Sequence, residues 1–250
     1  MKTEHLFKKS DRNMRLIGLL FFIGLFTQPL WAQNSMDKLL TEVLRSYVKC
    51  SRIEVKTIID AQNKIQQMII KMDSVQIDMM KADHITLQYD NPVFNREDLE
   101  KRKIFYLHSY QDMKIGILVS PKSLKEYVNA RAKFYSKKYN KLDLQLKPPY
   151  IEASFNINID QISPRVQEIL NGFIKNNQID GYTATSIEVK NNQVQLKSQK
   201  TIINHFLIPE TATTQLEDRF NPVSTIPVLV PFQYTLNHVA VQKNHLYFSN

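Results

Sequence analysis

The spacing of apolar positions changes along this chain, and the changes mark its elements. From Met36 to Val48 (MDKLLTEVLRSYV), Leu39, Leu40, Val43, Leu44 and Tyr47 recur every three or four residues, which predicts an amphipathic helix. The period then drops to two. Ile53, Val55 and Thr57 alternate with Glu54 and Lys56, and Val75, Ile77 and Met79 with Gln76 and Asp78, which predicts strands with one covered face. Ile85, Leu87 and Tyr89 continue that period after a phase slip around Lys81 to Asp83, where a turn or bulge is expected.

Asn91-Pro92 closes this section, and Asn95 to Lys103 is a polar connection, helical or looped. Ile104 to Ser109 and Lys114 to Val119 predict a hairpin turning at Gln111-Asp112. Ser120-Pro121 has the residue types of a helix cap and first helical position, and the helix should run to about Tyr139 with Leu124, Tyr127, Val128, Ala132 and Tyr135 inward. Ile151, Ala153, Phe155, Ile157 and Ile159 alternate with polar residues as a half-covered strand does, and Ser163-Pro164 opens a second helix to Lys175. Ser186 to Leu196 predicts a tight hairpin turning at Asn191-Asn192, and Val239 to Phe248 is a near copy of it.

The start of the chain follows different rules. Leu16 to Phe26 (LIGLLFFIGLF) is an unbroken apolar run between Arg12 and Arg15 on one side and Pro29 and Leu30-Trp31-Ala32 on the other. It is short for a bilayer span and has the charged, apolar and small-residue regions of a secretory signal, so residues 1–32 are expected to be removed after Ala32. Met14 offers an alternative start that would give a leader of ordinary length, and an N-terminal membrane anchor is the competing reading. Either way the remaining 33–250 is expected as one exported domain, periplasmic or secreted.

Composition narrows the function classes. Five glycines, two of them in the leader, leave Gly116, Gly172 and Gly181, too few and too scattered for a phosphate-cradling loop. A single cysteine, Cys50, excludes an intrachain disulfide and reads as a small buried hydrophobe. The formal net charge is +9, and a third of that belongs to the leader. Residues 121–147 hold eight cations (among them Lys122, Lys125, Arg131, Lys133 and Lys137) against Glu126 and Asp143, so the rest of the mature chain is formally neutral. A local basic patch of this kind attracts phosphates or an anionic membrane.

No standard reactive constellation is present: no G-x-S-x-G, no H-E-x-x-H, no paired cysteines. His84, His205 and His238 are dispersed and do not make a metal motif, so no enzyme activity, cofactor or metal is expected. An exported chain with this pattern is not expected to bind nucleic acid. Met68, Met72, Met79 and Met80 cluster as flexible thioethers would around an adaptable apolar surface, though core filling explains each singly.

The order of parts resembles the LmeA-like phospholipid-binding proteins of bacterial envelopes: a short helix from Met36 entering a strand at Ser51-Arg52-Ile53-Glu54-Val55; the strand-to-helix step Gly116-Ile117-Leu118-Val119-Ser120-Pro121 to Val128; the hairpin around Asn191-Asn192; and the end from Ile226-Pro227-Val228 to Leu246-Tyr247-Phe248. The resemblance spans nearly all of the mature chain. It implies an α+β fold, with a long curved antiparallel sheet wrapped around amphipathic helices and an apolar groove for acyl chains. The candidate groove residues are Leu39, Val43, Tyr47, Tyr127, Val128, Phe155 and Ile157, and Lys122, Lys125, Arg131, Lys133 and Lys137 are the candidate headgroup or membrane contacts. The function expected is a non-enzymatic binder or carrier of phospholipid or another anionic amphiphile, with peripheral contact to an anionic membrane surface. An envelope protein-interaction module without a lipid cavity is the alternative.

Overall fold

The computed structural model describes residues 35–134, 139–158, 160, 164, 167–168, 177–190, 193–213 and 231–250. The expected leader lies outside the described residues. So do the Asn191-Asn192 turn and most of the expected helix from Pro164 to Lys175.

Helix α1 (residues 35–47) buries Met36, Leu40, Val43 and Leu44, and Val48 continues that stripe just past its end. It is pinned to the first strand by Asp37, whose Oδ1 accepts from the Thr57 hydroxyl at 2.6 Å and the Thr57 amide at 2.8 Å. That bond satisfies a fully buried threonine, which would otherwise destabilise the core.

The first sheet is built from β1 (Arg52–Ile59), β2 (Ile65–Ile77), β3 (Met80–Asp90), β6 (Asp112–Val119), β12 (His238–Val241) and β13 (Leu246–Ser249). Its order is β1-β2-β3-β6-β13-β12, with every neighbouring pair antiparallel. The alternation legible in the sequence becomes cross-strand rows: Ile53, Met72, Ile85, Ile117 and Phe248 face one another, as do Val55, Ile70, Leu87 and Ile115. Met68 and Met72 are fully buried core residues, not an adaptable surface.

Two expectations about the first sheet need correction. The turn between β2 and β3 is at Asp78-Met79, closed by the Ile77 to Met80 pair and made possible by Asp78 at φ 53°. The phase slip seen near Lys81 to Asp83 is real but interrupts no strand. Ser74 adopts φ 53° inside β2, and burial shifts phase between Met72 and Val75 on β2 and between Ala82 and Ile85 on β3 while the register is kept. The two strands exchange faces together. Secondly, β5 (Leu107–Ser109) does not form a hairpin with β6; it pairs with the two-residue β4 (Val93–Phe94). Both edges of β6 are already occupied, by β3 and β13, so residues 91–111 form an excursion closed by the Asp90 to Asp112 pair. A short π-helical turn, Asp98–Arg102, lies within it.

Helix α2 (Pro121–Phe134) leads to the second sheet, made of β7 (Tyr139–Lys147), β8 (Tyr150–Asn158), β9 (Gln178–Lys190), β10 (Gln193–Ile203) and β11 (Phe206–Leu207). The order is β11-β10-β9-β8-β7, again antiparallel. Tyr139, the expected helix end, is instead a strand residue paired with Ile157, and residues 135–138, with the expected inward Tyr135, lie outside the described residues. The Ser186 to Leu196 hairpin is present, with Lys190 paired to Gln193, and the terminal near copy forms β12 and β13.

The fold is therefore of the α+β class and mostly antiparallel sheet. One apolar cluster joins α1, the first sheet, Leu99, Phe105 and Leu107 of the excursion, and Leu146, Ile151 and Val194 of the second sheet. The scarcity of glycine also has an explanation. Among the described residues every left-handed backbone position is held by another residue, chiefly Asn and Asp (Asn63, Asp78, Asn91, Asn177, Asn204), whose short polar side chains tolerate it. Gly181 has a different role: a Cβ there would lie 2.1 Å from Phe155 Cζ, so the missing side chain is what lets that ring lie across β9.

Candidate functional site

Helix α2 carries the basic patch, and its orientation is fixed at its first turn. The Ser120 Oγ accepts from the Ser123 amide at 3.2 Å, as an N-cap does. Asp83 on β3 accepts from the Ser120 amide at 2.5 Å and from the hydroxyls of Ser120 and Ser123, both at 3.1 Å. A carboxylate here also faces the positive end of the helix dipole. With its start locked to β3, α2 turns Leu124 and Tyr127 inward, both buried, and leaves Val128 half-buried.

At 100° per residue, Lys122, Lys125 and Lys133 fall on the opposite side together with Glu126 and Asn129. Lys122 and Lys133 are exposed and Lys125 half-buried, and among the described residues no carboxylate lies within ion-pair distance of the three. Arg131 belongs elsewhere. It lies on the side of Leu124, between Tyr127 and Val128, and is half-buried. Its place in the sequence patch therefore reflects chain proximity, not a shared surface. Lys137 lies outside the described residues. Lys147 is matched by Glu152 at 2.8 Å, and that hydrogen bond raises the lysine above its ordinary range.

The candidate groove residues are not brought into one place. Leu39 and Val43 pack in the main cluster, whereas Phe155 and Ile157 belong to a second, smaller one with Ile179, Ile203 and Ile208. Tyr47 is 39% exposed, because it ends α1, and its hydroxyl accepts from the Phe105 amide at 3.4 Å. Tyr127 and Val128 sit on the inward side of α2. The second cluster is walled by Tyr139 and Phe155, whose rings meet edge to face at 5.9 Å, and burial raises the Tyr139 phenol above its ordinary value. An open depression of about 540 Å³ runs along α1, but the described residues lining it, from Asp37 to Ser46, are polar or charged.

Two polar features went unrecognised in the sequence. On the second sheet, Thr183 Oγ1 lies 3.0 Å from Thr185 Oγ1, 3.3 Å from Ser198 Oγ and 3.5 Å from Thr201 Oγ1. Their register with Ile151 and Ala153 puts these hydroxyls on the apolar side of the strands. Alternation predicts that face but not hydroxyls on it, since threonine suits either face. On the outer face of the first sheet, His84 Nδ1 lies 2.7 Å from Asp73 Oδ1 and Nε2 3.0 Å from Thr86 Oγ1. The order matches an acid-base-hydroxyl relay. Its strand amides, however, are engaged in the ladder with β2 and β6, which leaves no backbone donor pair for an oxyanion. His205 sits in the β10–β11 turn and His238 on β12 opposite Ser249, and no group of metal-ligating side chains occurs among the described residues.

Cys50 is half-buried against the main cluster, and burial pushes its thiol up. Among the described residues no helix is long and apolar enough to cross a membrane. Comparison with protein-family models, with curated proteins and with solved structures finds no match to this chain.

Proposed function

We propose that this protein is a non-enzymatic binder or carrier of phospholipid or a similar anionic amphiphile, exported to the cell envelope and related in kind to LmeA-like proteins. One observation carries the reading. The helix that carries Lys122, Lys125 and Lys133 on its outer side, with no carboxylate among the described residues within ion-pair distance, leads within six residues to Tyr139, a wall of an apolar cluster separate from the main core. Fixed positive charge beside a small, detached apolar region is the complement of an amphiphile: cations hold the phosphate, and buried methylenes contribute about 0.8 kcal/mol each. On this reading the sheet curves around the helices, and Phe155 and Ile157 meet the acyl chain while the lysines meet the headgroup.

Native mass spectrometry of the protein purified from its own host tests this. A co-purified lipid of defined mass is the expected result. A lipid-free mass with a stoichiometric protein partner would overturn it in favour of an interaction module.

A further inference from the structure

Exposed apolar side chains are concentrated in one lobe. Of the eight large ones among the described residues, Val93, Ile104 and Tyr106 lie in the excursion between β3 and β6, and Tyr47 touches it through the Phe105 amide. The excursion is anchored from within. Along residues 104–107, which lead into β5, Phe105 and Leu107 are buried while Ile104 and Tyr106 are 46% and 59% exposed, so burial alternates but the outward positions are also apolar. The Phe94 and Phe105 rings meet at 5.5 Å beneath it, and His108 packs edge-on to Tyr106 at 5.0 Å.

The surrounding charge is selective. Lys101 and Arg102 are matched by Glu97 at 2.8 Å and Asp98 at 3.2 Å, leaving Glu100 as the other acid of that turn. Lys103, held at φ 59° immediately before Ile104, and Lys49, two residues past Tyr47, are exposed and have no carboxylate within ion-pair distance among the described residues. An apolar patch with the exposed Tyr106 phenol, adjoined along the chain by Lys103 and, beyond Tyr47, by Lys49, suits the interfacial layer of an anionic membrane, where a tyrosine places its ring among acyl carbons and its hydroxyl in water.

We propose that this lobe is a membrane-docking surface, seating Tyr47, Ile104 and Tyr106 in the interfacial layer with Lys49 and Lys103 against the headgroups. It is distinct from the α2 lysines and requires no carried lipid.

Partition onto mixed phosphatidylglycerol and phosphatidylcholine vesicles tests it, with melting temperature as a folding control. Ile104→Ser combined with Tyr106→Ser should weaken partition about tenfold, since half-buried side chains of this size lose part of their transfer free energy. The Lys49→Gln and Lys103→Gln pair should weaken it several-fold at low salt only. A tryptophan introduced by Tyr106→Trp should be quenched by lipids brominated on the acyl chains. No partition by the wild type, or partition insensitive to the serine pair and abolished by changing the α2 lysines, would overturn the docking role. An unquenched tryptophan would do the same. Native mass spectrometry does not enter these readouts, so failure of lipid carriage and failure of docking are separable.

Discussion

The two sheets share an alternating pattern but use it differently. Across the first, the rows from Ile53 to Phe248 and from Val55 to Ile115 are apolar from strand to strand, and the neighbouring row of Thr57, Met68, Tyr89 and Met113 admits two hydroxyls, Thr57 matched by Asp37 and Tyr89 by the Gln233 carbonyl. Across the second, equivalent rows run Leu146, Ile151, Thr185, Ser198 and Leu144, Ala153, Thr183, Thr201, so that half of each is hydroxyl. Beyond them Phe155 lies opposite Gly181, and the small isoleucine cluster closes the end. The first sheet is organised for burial. In the second, a polar belt divides the apolar face in two, which confines the main core to one end and leaves a separate apolar cluster at the other.

Truncation should expose this difference most strongly. Leu87→Ala, at a fully buried centre of the first sheet, should cost about 3–5 kcal/mol by urea unfolding, whereas Ile179→Ala, in a cluster small enough to relax, should cost about 2 kcal/mol. Equal losses would mean that the second cluster is as rigid a core as the first. Gly181→Ala should cost about 2 kcal/mol, because its Cβ collides with the Phe155 ring, and Gly116→Ala under about 1 kcal/mol, because its Cβ would meet Tyr247 at 3.2 Å. Adding Phe155→Ala to Gly181→Ala should cost less than the two changes summed, and additivity would remove the ring from its place over β9.

How much of this was legible depended on distance along the chain. Local period sufficed for α1, for β1 and for the Ser186 to Leu196 hairpin, since each is specified by its own residues. It failed for β5, because pairing depended on whether β6 had a free edge, and β13 takes that edge from more than a hundred residues away. The Asp78-Met79 turn was hidden by its lack of glycine, and the face exchange at Ser74 by imitating a turn. For the site, composition found the lysines of α2, but Arg131 and Tyr47 show that helix rotation and helix ends decide exposure. Of the groove residues, Leu39 and Val43 fall in one cluster, Phe155 and Ile157 in another, and Tyr47, Tyr127 and Val128 in neither, a distinction that no spacing within a single strand or helix encodes.

Smaller effects test the polar belt and the two buried phenols. Thr183→Val removes the shared hydroxyl and leaves Thr185 and Thr201, both buried, short of a partner; the loss should be about 1–2 kcal/mol by the same unfolding assay. A smaller loss would mean that water replaces the hydroxyl and the belt is wet. Tyr89 of the first sheet and Tyr139 of the second both have phenols raised by burial, Tyr89 also by Tyr110 and Tyr234. A raised folded-state value means that stability is fully present below the unfolded value near 10 and is lost as pH rises above it. For Tyr89 the slope should approach roughly 1.4 kcal/mol per pH unit, and Tyr89→Phe should remove it, giving up only the 3.3 Å bond to the Gln233 carbonyl at neutral pH. If Tyr139→Phe flattened the alkaline limb more than Tyr89→Phe, the comparison would reverse, with the second cluster the drier of the two.

The smallest effect on stability is expected at α2, and its smallness is informative. Lys122, Lys125 and Lys133 face away from Leu124 and Tyr127, and no carboxylate among the described residues holds them. Their replacement by Gln should therefore change unfolding free energy by less than about 0.5 kcal/mol. Binding to anionic vesicles should respond far more, by about 1 kcal/mol for each charge that lies near the surface. Salt should imitate the substitution in the wild type, because exposed charges are screened over about 8 Å at physiological ionic strength. Vesicle co-sedimentation across a salt series, with neutral vesicles as control, measures both effects. If wild type and triple variant bound equally at low salt, the stripe would be a solvated helix face, and any amphiphile would have to be held by the second sheet alone.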